Sequence, residues 1–395
     1  MTRPTPTVAG ARTAVFVTFA LNGLLFSSLA VRIPDLRHGL DLDNRRLGLL
    51  LLAIAAGSLL ALPTTGRLIE RWSTPVVARA GILFAAAGLV VAAVGAGPLG
   101  LVAVAAPGLF GYGIGIGVWD VAMNVEGAEV ERRLGHTIMP RFHAAFSVGT
   151  IAGAGIGVPV AAVDLPMTVH LAGVVVLALV VGLPGARAFL PPAPEPQTPA
   201  APARSAWREP RVLAVGVMVL AFAVVEGSAN DWLTLAVIDG YDAPHWAGVL
   251  AFAGFVTAMT LGRVVGPAVL DRHGRAAVLW ACAALATAGI LLLVWGGHPA
   301  LAGLGVLLWG LGGSLGFPVG MSAAADDPAR AAARVSVVAT IGYAAFLAGP
   351  PLLGALGDRV GTLESLLAVA ALMVPAAVTV LAARPPRVEA ANRQA

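Results

Sequence analysis

Glu226 sits near the middle of a long apolar stretch, and Asn230 follows one helical turn later on the same face, with Asp231 and Trp232 beside it. Such a cluster supplies a carboxyl group that protonation can neutralise, a hydrogen-bonding amide and an aromatic platform, which are the parts of a coupled polar-solute site. Asp120 and Asn124 repeat the i, i+4 spacing in another apolar stretch, so they too share a face. His143 opens the next stretch beside Phe142, where an imidazole could relay protons or hydrogen-bond a solute, and Asn22 lies in the first stretch. Each residue also has a plain structural reading. Glu226 could pair with a neighbouring helix, Asp231 could serve a gate, Asp120 and Asn124 could meet Arg141 or Arg132 at a hinge, and Asn22 could join two helices.

What makes these residues informative is the chain around them. Hydrophobic residues make up 58% of the 395 and charged residues 12%, with a mean hydropathy of +0.86, where a soluble domain carries roughly 25% charge. A charged side chain at the centre of a bilayer costs at least about 2.5–3.5 kcal/mol, so each of these acids needs a partner, a water-filled cavity or a proton. A hydrocarbon core about 30 Å thick takes roughly 20 apolar residues per helix. Twelve such stretches are present, at 12–33, 46–66, 76–96, 99–125, 140–162 and 166–187, then 211–237, 246–269, 276–296, 299–323, 334–356 and 363–383. The expected fold is an all-α membrane protein of twelve transmembrane helices.

The spans fall six and six. Residues 1–187 are expected to form an N-terminal six-helix bundle and 211–395 a C-terminal one. Between them, residues 188–210 make a cytoplasmic linker with Pro191, Pro192, Pro194, Pro196, Pro199 and Pro202, a composition that stays extended. With the N-terminus inside, the arginines gather on the cytoplasmic side. Arg32, Arg37, Arg45, Arg46 and Arg359 fall outside and Arg263 falls within span 8. That bias places both termini in the cytoplasm, in a multi-pass protein of the inner membrane. The halves also repeat. Asn22-Gly23 aligns with Glu226-Gly227, Gly111, Gly113 and Gly117 align with Gly310, Gly312 and Gly316, and Arg141 and Gly149 align with Arg334 and Gly342. Internal duplication with a solute held between the halves is a recurrent transporter plan.

The same composition excludes much. All 25 basic residues are Arg, so a Walker A lysine and a Schiff-base lysine are impossible. The arginines are scattered through short loops despite a pI near 10.1, which argues against nucleic acid. Cys282 is alone, the seven His are dispersed, and HExxH does not occur, so no enzyme, metal or cofactor is expected. Glu126, Glu129, Glu131, Arg132 and Arg133 read as a solvated mixed-charge stretch, and Trp72, Trp207, Trp246 and Trp295 as anchors at the membrane interface.

After span 2 the chain reads Gly66-Arg67-Leu68-Ile69-Glu70-Arg71, and after span 8 it reads Asp271-Arg272-His273-Gly274-Arg275, with an echo at Gly354-Ala355-Leu356-Gly357-Asp358-Arg359-Val360-Gly361. The first two resemble the cytoplasmic loop signature of the major facilitator superfamily. That resemblance implies two pseudo-symmetric six-helix bundles and a conformational latch formed by Gly66, Glu70, Arg71, Asp271, Arg272, Gly274 and Arg275. Trp119-Asp120-Val121-Ala122-Met123-Asn124 is similar to an acid-x-Ala-x-Asn element of the fucose permease-like, sugar-porter-like branch, where the carboxylate belongs to the sugar and proton site. The chain departs from that branch in span 1, where Ala30 stands in place of a second acid.

The expectation is therefore a secondary active transporter acting as a monomer, with protons and a small polar solute, a sugar or related metabolite, as its partners within the lipid bilayer. Glu226, Asp120 and Asp231 would couple protons, and Asn22, Asn124, His143, Asn230 and Trp232 would touch solute. Proton-driven efflux of an amphipathic compound and a non-transporting membrane sensor are the competing readings.

Overall fold

The computed structural model describes residues 7–135, 138–190, 203–327 and 330–384. The proline-rich stretch Pro191 to Pro202 lies outside them. Among the described residues the chain is helical with no strand, and eleven helical segments are long and apolar enough to cross a membrane. Span 1 is Val8–Ala30, span 2 Asn44–Trp72, span 3 Thr74–Ala96, span 4 Val102–Leu134, span 5 Met139–Ala162 and span 6 Met167–Ala188. Span 7 is Pro210–Tyr241, span 10 Pro299–Ala324, span 11 Ala331–Val360 and span 12 Thr362–Ala383. The 51-residue helix His245–Trp295 is broken at Gly274, whose φ of 76° and ψ of 160° favour glycine, so it is spans 8 and 9. The twelve expected spans are all present.

Local chemistry sets the helix ends. The Thr7 hydroxyl accepts from Gly10 N at 3.1 Å to start span 1, and Asp43 accepts from Arg46 N at 2.7 Å to start span 2. Span 10 is interrupted between Pro299–Gly313 and Gly316–Ala324. The amide that would bond to the Ser314 carbonyl belongs to Pro318, which has no N–H to give. On the outside of the helices Val264, Leu352 and Val378 are 66%, 67% and 72% exposed, a surface that only a bilayer accommodates.

Glycine seams bring paired spans together, backbone against backbone. A Cβ at Gly88 in span 3 would collide with Tyr112 N and Gly108 O of span 4, and one at Gly115 would collide with Ala85 N. In the second half a Cβ at Gly289 in span 9 would meet Trp309 N and Gly305 O of span 10, and one at Gly312 would meet Ala286 N. The two seams are therefore the same, with Gly108, Tyr112 and Gly115 as counterparts of Gly305, Trp309 and Gly312. This corrects the glycine alignment by two residues. Gly113 belongs to another face of span 4, packed on the Ile54 carbonyl of span 2, so matching it to Gly312 pairs glycines of different function.

The chain divides into two compact units. One comprises Met1–Pro196, Ser228–Thr260 and Leu347–Leu366, and the other comprises Gln197–Gly227, Leu261–Phe346 and Leu367–Ala395. The division runs through spans 7, 8, 11 and 12. Within the first unit, spans 1 and 5 close on each other where a Cβ at Gly149 would strike the Ala20 carbonyl and one at Gly23 the Phe146 carbonyl. Gly149→Val should therefore destabilise the protein by about 1–3 kcal/mol, the range for overpacking. Gly155→Val, at a position with open space around it, should leave the thermal unfolding midpoint in detergent unchanged. Equal midpoints for the two variants would contradict the seam.

Candidate functional site

Two charged side chains meet inside the second unit. Arg263 of span 8 donates from Nη2 to Glu226 Oε2 of span 7 at 2.8 Å and from Nε to the Ser314 carbonyl at 3.2 Å. That carbonyl is the one left without an amide by Pro318, so the guanidinium serves both the acid of span 7 and the break in span 10. The side chains remain 20% and 31% exposed, which leaves the pair reachable by water or a small ligand. Beside it Trp309 is fully buried and donates its indole N–H to Val225 O at 3.2 Å. Trp309 is thus a packing residue under the backbone of Glu226.

The other expected site residues lie in the first unit. Asn124 Nδ2 donates to the Asp120 carbonyl at 2.8 Å and to its Oδ1 at 3.3 Å, so the i, i+4 pair is formed within span 4. Asn22 is 2% exposed and its Nδ2 finds no acceptor. His143 is exposed at the start of span 5 and meets Phe19 edge-on at 5.1 Å. Asn230 and Asp231 are half-buried, and no hydrogen bond or ion pair holds Asp231 among the described residues. Trp232 is fully buried with its indole N–H unsatisfied, against Gly354 of span 11.

A denser network lies in the first unit, at the end reached by spans 1, 7 and 11, here the distal face. Arg37, on the short helix Ile33–Gly39 after span 1, donates from both Nη atoms to Asp239 at 2.5 Å and to Asn44 Oδ1 at 3.1 Å. Thr362 donates to Asp239 Oδ2 at 2.7 Å and accepts from Asn44 Nδ2 at 3.0 Å. Asp358, at the end of span 11, accepts the backbone N–H groups of Asn44 and Arg45 at 2.9 Å each, so it caps the N-terminus of span 2 from another helix. A Cβ at Gly48 would collide with the Pro350 carbonyl, and one at Gly354 with the Asn44 carbonyl. Nearby, His245 Nε2 lies 3.1 Å from Val31 O and 3.7 Å from Asp35 Oδ2. Arg32, 2% exposed, joins Asp35 at 3.2 Å and His170 at 3.1 Å.

The residues of the expected loop latch lie largely on helix ends, because span 2 runs on to Trp72 and span 8 to the Gly274 break. Glu70, Arg71, Asp271 and Arg272 are exposed and make no hydrogen bond or ion pair among the described residues. Gly66 lies in span 2 with open space around it, and Gly274 makes the turn between spans 8 and 9. Arg275 is the one engaged, bound to Asp326 Oδ1 at 2.7 Å and Ser322 Oγ at 3.0 Å. The stretch read as solvated charges also needs correction. Glu126 is 2% exposed and accepts Leu190 N at 2.7 Å, holding the end of span 6 to span 4, while Glu131 accepts Ile138 N and Met139 N at the start of span 5.

Sequence reading passed over Arg263, Arg37, Asp239 and Asp358. The usable signal for Arg263 was its type, an arginine inside an apolar span with an acid one span away. Because either partner alone leaves a charge stranded in the span, Glu226→Gln and Arg263→Gln should each lower the unfolding temperature. The double variant should lose less than their sum, with a coupling of about 0.5–3 kcal/mol, toward the low end because both side chains are partly exposed. Strict additivity in thermal melts would show that the pair holds nothing.

A family model described as the Major Facilitator Superfamily matches residues 15–345 and 250–395. The chain is 33% identical to an uncharacterised MFS-type transporter of Yersinia pestis over 344 residues, 86% of each protein. It is 32% identical to an uncharacterised transporter of Sinorhizobium fredii over 344 residues, 86% of this chain and 89% of that one. Among solved structures, a variant of the nucleoside transporter NupG superposes with a TM-score of 0.78 at 14% identity, covering 95% of this chain and 99% of that one, a likeness of fold. A matching family model over nearly the whole length, together with twelve apolar spans, makes this multi-pass membrane protein a transporter of the major facilitator superfamily.

Proposed function

We propose that the chain is a proton-coupled secondary transporter that moves a small polar solute, a sugar or related metabolite, by alternating access between its six-helix halves at residues 1–187 and 211–395. The observation that carries this reading is the Glu226–Arg263 pair. Arginine stays charged, so Glu226 is the titratable partner, and adding or removing one proton switches what Arg263 is bound to. Proton occupancy then changes the ties among spans 7, 8 and 10, which is the linkage a coupled carrier requires. Asp120 with Asn124 offers a second carboxylate. Asn22, Asn230 and Asp231 keep polar atoms without fixed partners, as a site that hydrogen-bonds a solute would.

With both termini placed in the cytoplasm of an inner-membrane protein, the distal face is the outer one, and the Arg37–Asp239–Thr362–Asn44–Asp358 network is an outer latch. It joins the ends of spans 7 and 11 to the start of span 2, so solute enters from outside after it breaks. The exposed helix-end residues Glu70, Arg71, Asp271 and Arg272 fit the opposite phase of the cycle, when the inner latch forms. The resemblance of the Asp120 to Asn124 segment to the fucose permease-like branch favours a hydroxyl-rich solute.

The coupling is tested by adding hexoses, polyols, organic acids and amino acids in turn to lightly buffered, de-energised cells expressing the protein. A transported solute should alkalinise the medium as protons enter with it, and Glu226→Gln and Asp120→Asn should abolish that signal and gradient-driven accumulation. Normal accumulation in both variants, or acidification on adding solute, would remove proton symport. The latch is tested by pulsed electron paramagnetic resonance between spin labels at Arg46→Cys and Arg359→Cys, both exposed distal positions, in a Cys282→Ala background. Arg37→Gln combined with Asp239→Asn should move the distance distribution to longer values, and an unchanged distribution would refute the latch.

A further inference from the structure

We propose that the ends of spans 9 and 12 on the face of the chain termini form a binding pocket for a phosphate group, carried by an anionic phospholipid or by a soluble phosphate ester. A cavity of about 260 Å³ opens there, lined by His273, Arg275, Trp280 and Arg384 among others. The Gly274 turn shapes one wall. The floor is rigid: Trp280 donates its indole N–H to the Ala377 carbonyl at 2.9 Å, which fixes the ring across spans 9 and 12 while leaving the residue 40% exposed.

The charge arrangement points to an oxyanion. Arg211, Arg275, Arg330 and Arg334 in the same unit all have carboxylate partners, in Asp326 for the first two and Glu209 for the others. Arg384 has none among the described residues. Its guanidinium stands 5.8 Å from the centre of the Trp280 ring, and its backbone carbonyl is held by Arg211 Nη2 at 3.1 Å. A guanidinium positioned over an aromatic plate, fixed at its backbone and lacking an anion, offers its planar fork to a tetrahedral oxyanion. His273 adds a second ring at the rim. Beyond the pocket, span 12 presents Val378 and Leu381, 72% and 48% exposed, along which acyl chains can lie. Basic pockets between spans at the membrane boundary are known to take phosphorylated headgroups. The inference requires only that spans 9 and 12 cross a bilayer and is independent of solute and coupling.

The test is native mass spectrometry of the full-length protein with dioleoyl phosphatidylglycerol, with dioleoyl phosphatidylcholine at the same mole fraction, and with glycerol 3-phosphate alone. Phosphatidylglycerol adducts should exceed phosphatidylcholine adducts, and Arg384→Gln should reduce them about five-fold, the effect of one basic residue at an anionic surface. Arg384→Lys should restore part of the loss. Arg187→Gln, which removes a charge outside the pocket, should leave the adducts unchanged. Retention of glycerol 3-phosphate that Arg384→Gln abolishes would assign the pocket to a soluble phosphate ester. Equal retention of both lipids without glycerol phosphate binding, or adducts indifferent to Arg384, would overturn the proposal. Because the readout is binding, loss of transport in any variant does not decide it.

Discussion

A charge inside hydrocarbon must bring its own counter-charge, and a backbone carbonyl there must find a donor within the protein. Spans 7, 8 and 10 are tied together by one sequence of such obligations. Pro318 withholds an amide and leaves the Ser314 carbonyl open, Arg263 fills it, and the charge that Arg263 brings requires Glu226. None of the three steps is optional once the proline is in place. The interruption of span 10 and the acid of span 7 are thus two ends of one local solution, joined through the Arg263 guanidinium.

The distal network solves a different problem with related means. A helix start carries unsatisfied N–H groups and a partial positive charge. Asp43 satisfies one of those groups at span 2 from its own chain neighbourhood, and Asp358 satisfies two more from span 11. The second cap is conditional, since it exists only while the two helices stay together. The bidentate Arg37–Asp239 pair and Thr362 add side-chain bonds to the same junction.

Much of this was legible in the sequence. Twelve apolar stretches match twelve spans because a bilayer imposes length and composition directly, with the helices of spans 2 and 4 running six and nine residues past their expected ends. Asn124 bonds to Asp120 as their spacing requires. What stayed hidden depends on partners far apart in the chain. Nothing local to Asp358 says that it caps Asn44, more than 300 residues away, and nothing local to Glu126 says that it is buried against Leu190. Arg263 was visible as an anomaly, but its two partners follow only from how spans 7, 8 and 10 pack. The repeat was legible in outline and displaced in register, because a one-letter alignment cannot tell a glycine that faces span 3 from one that faces span 2.

The matched glycine seams also bear on how such a chain can change over time. Between spans 3 and 4, and again between 9 and 10, the backbones leave no room for a methyl group at Gly88, Gly115, Gly289 or Gly312. Each hairpin therefore has faces of unequal freedom. The side turned to its twin admits almost no substitution, while a face such as that of Gly111 has space for side chains. Side chains can therefore be varied on the permissive faces without parting the hairpins, whereas any Cβ added at a seam glycine must push two backbones apart.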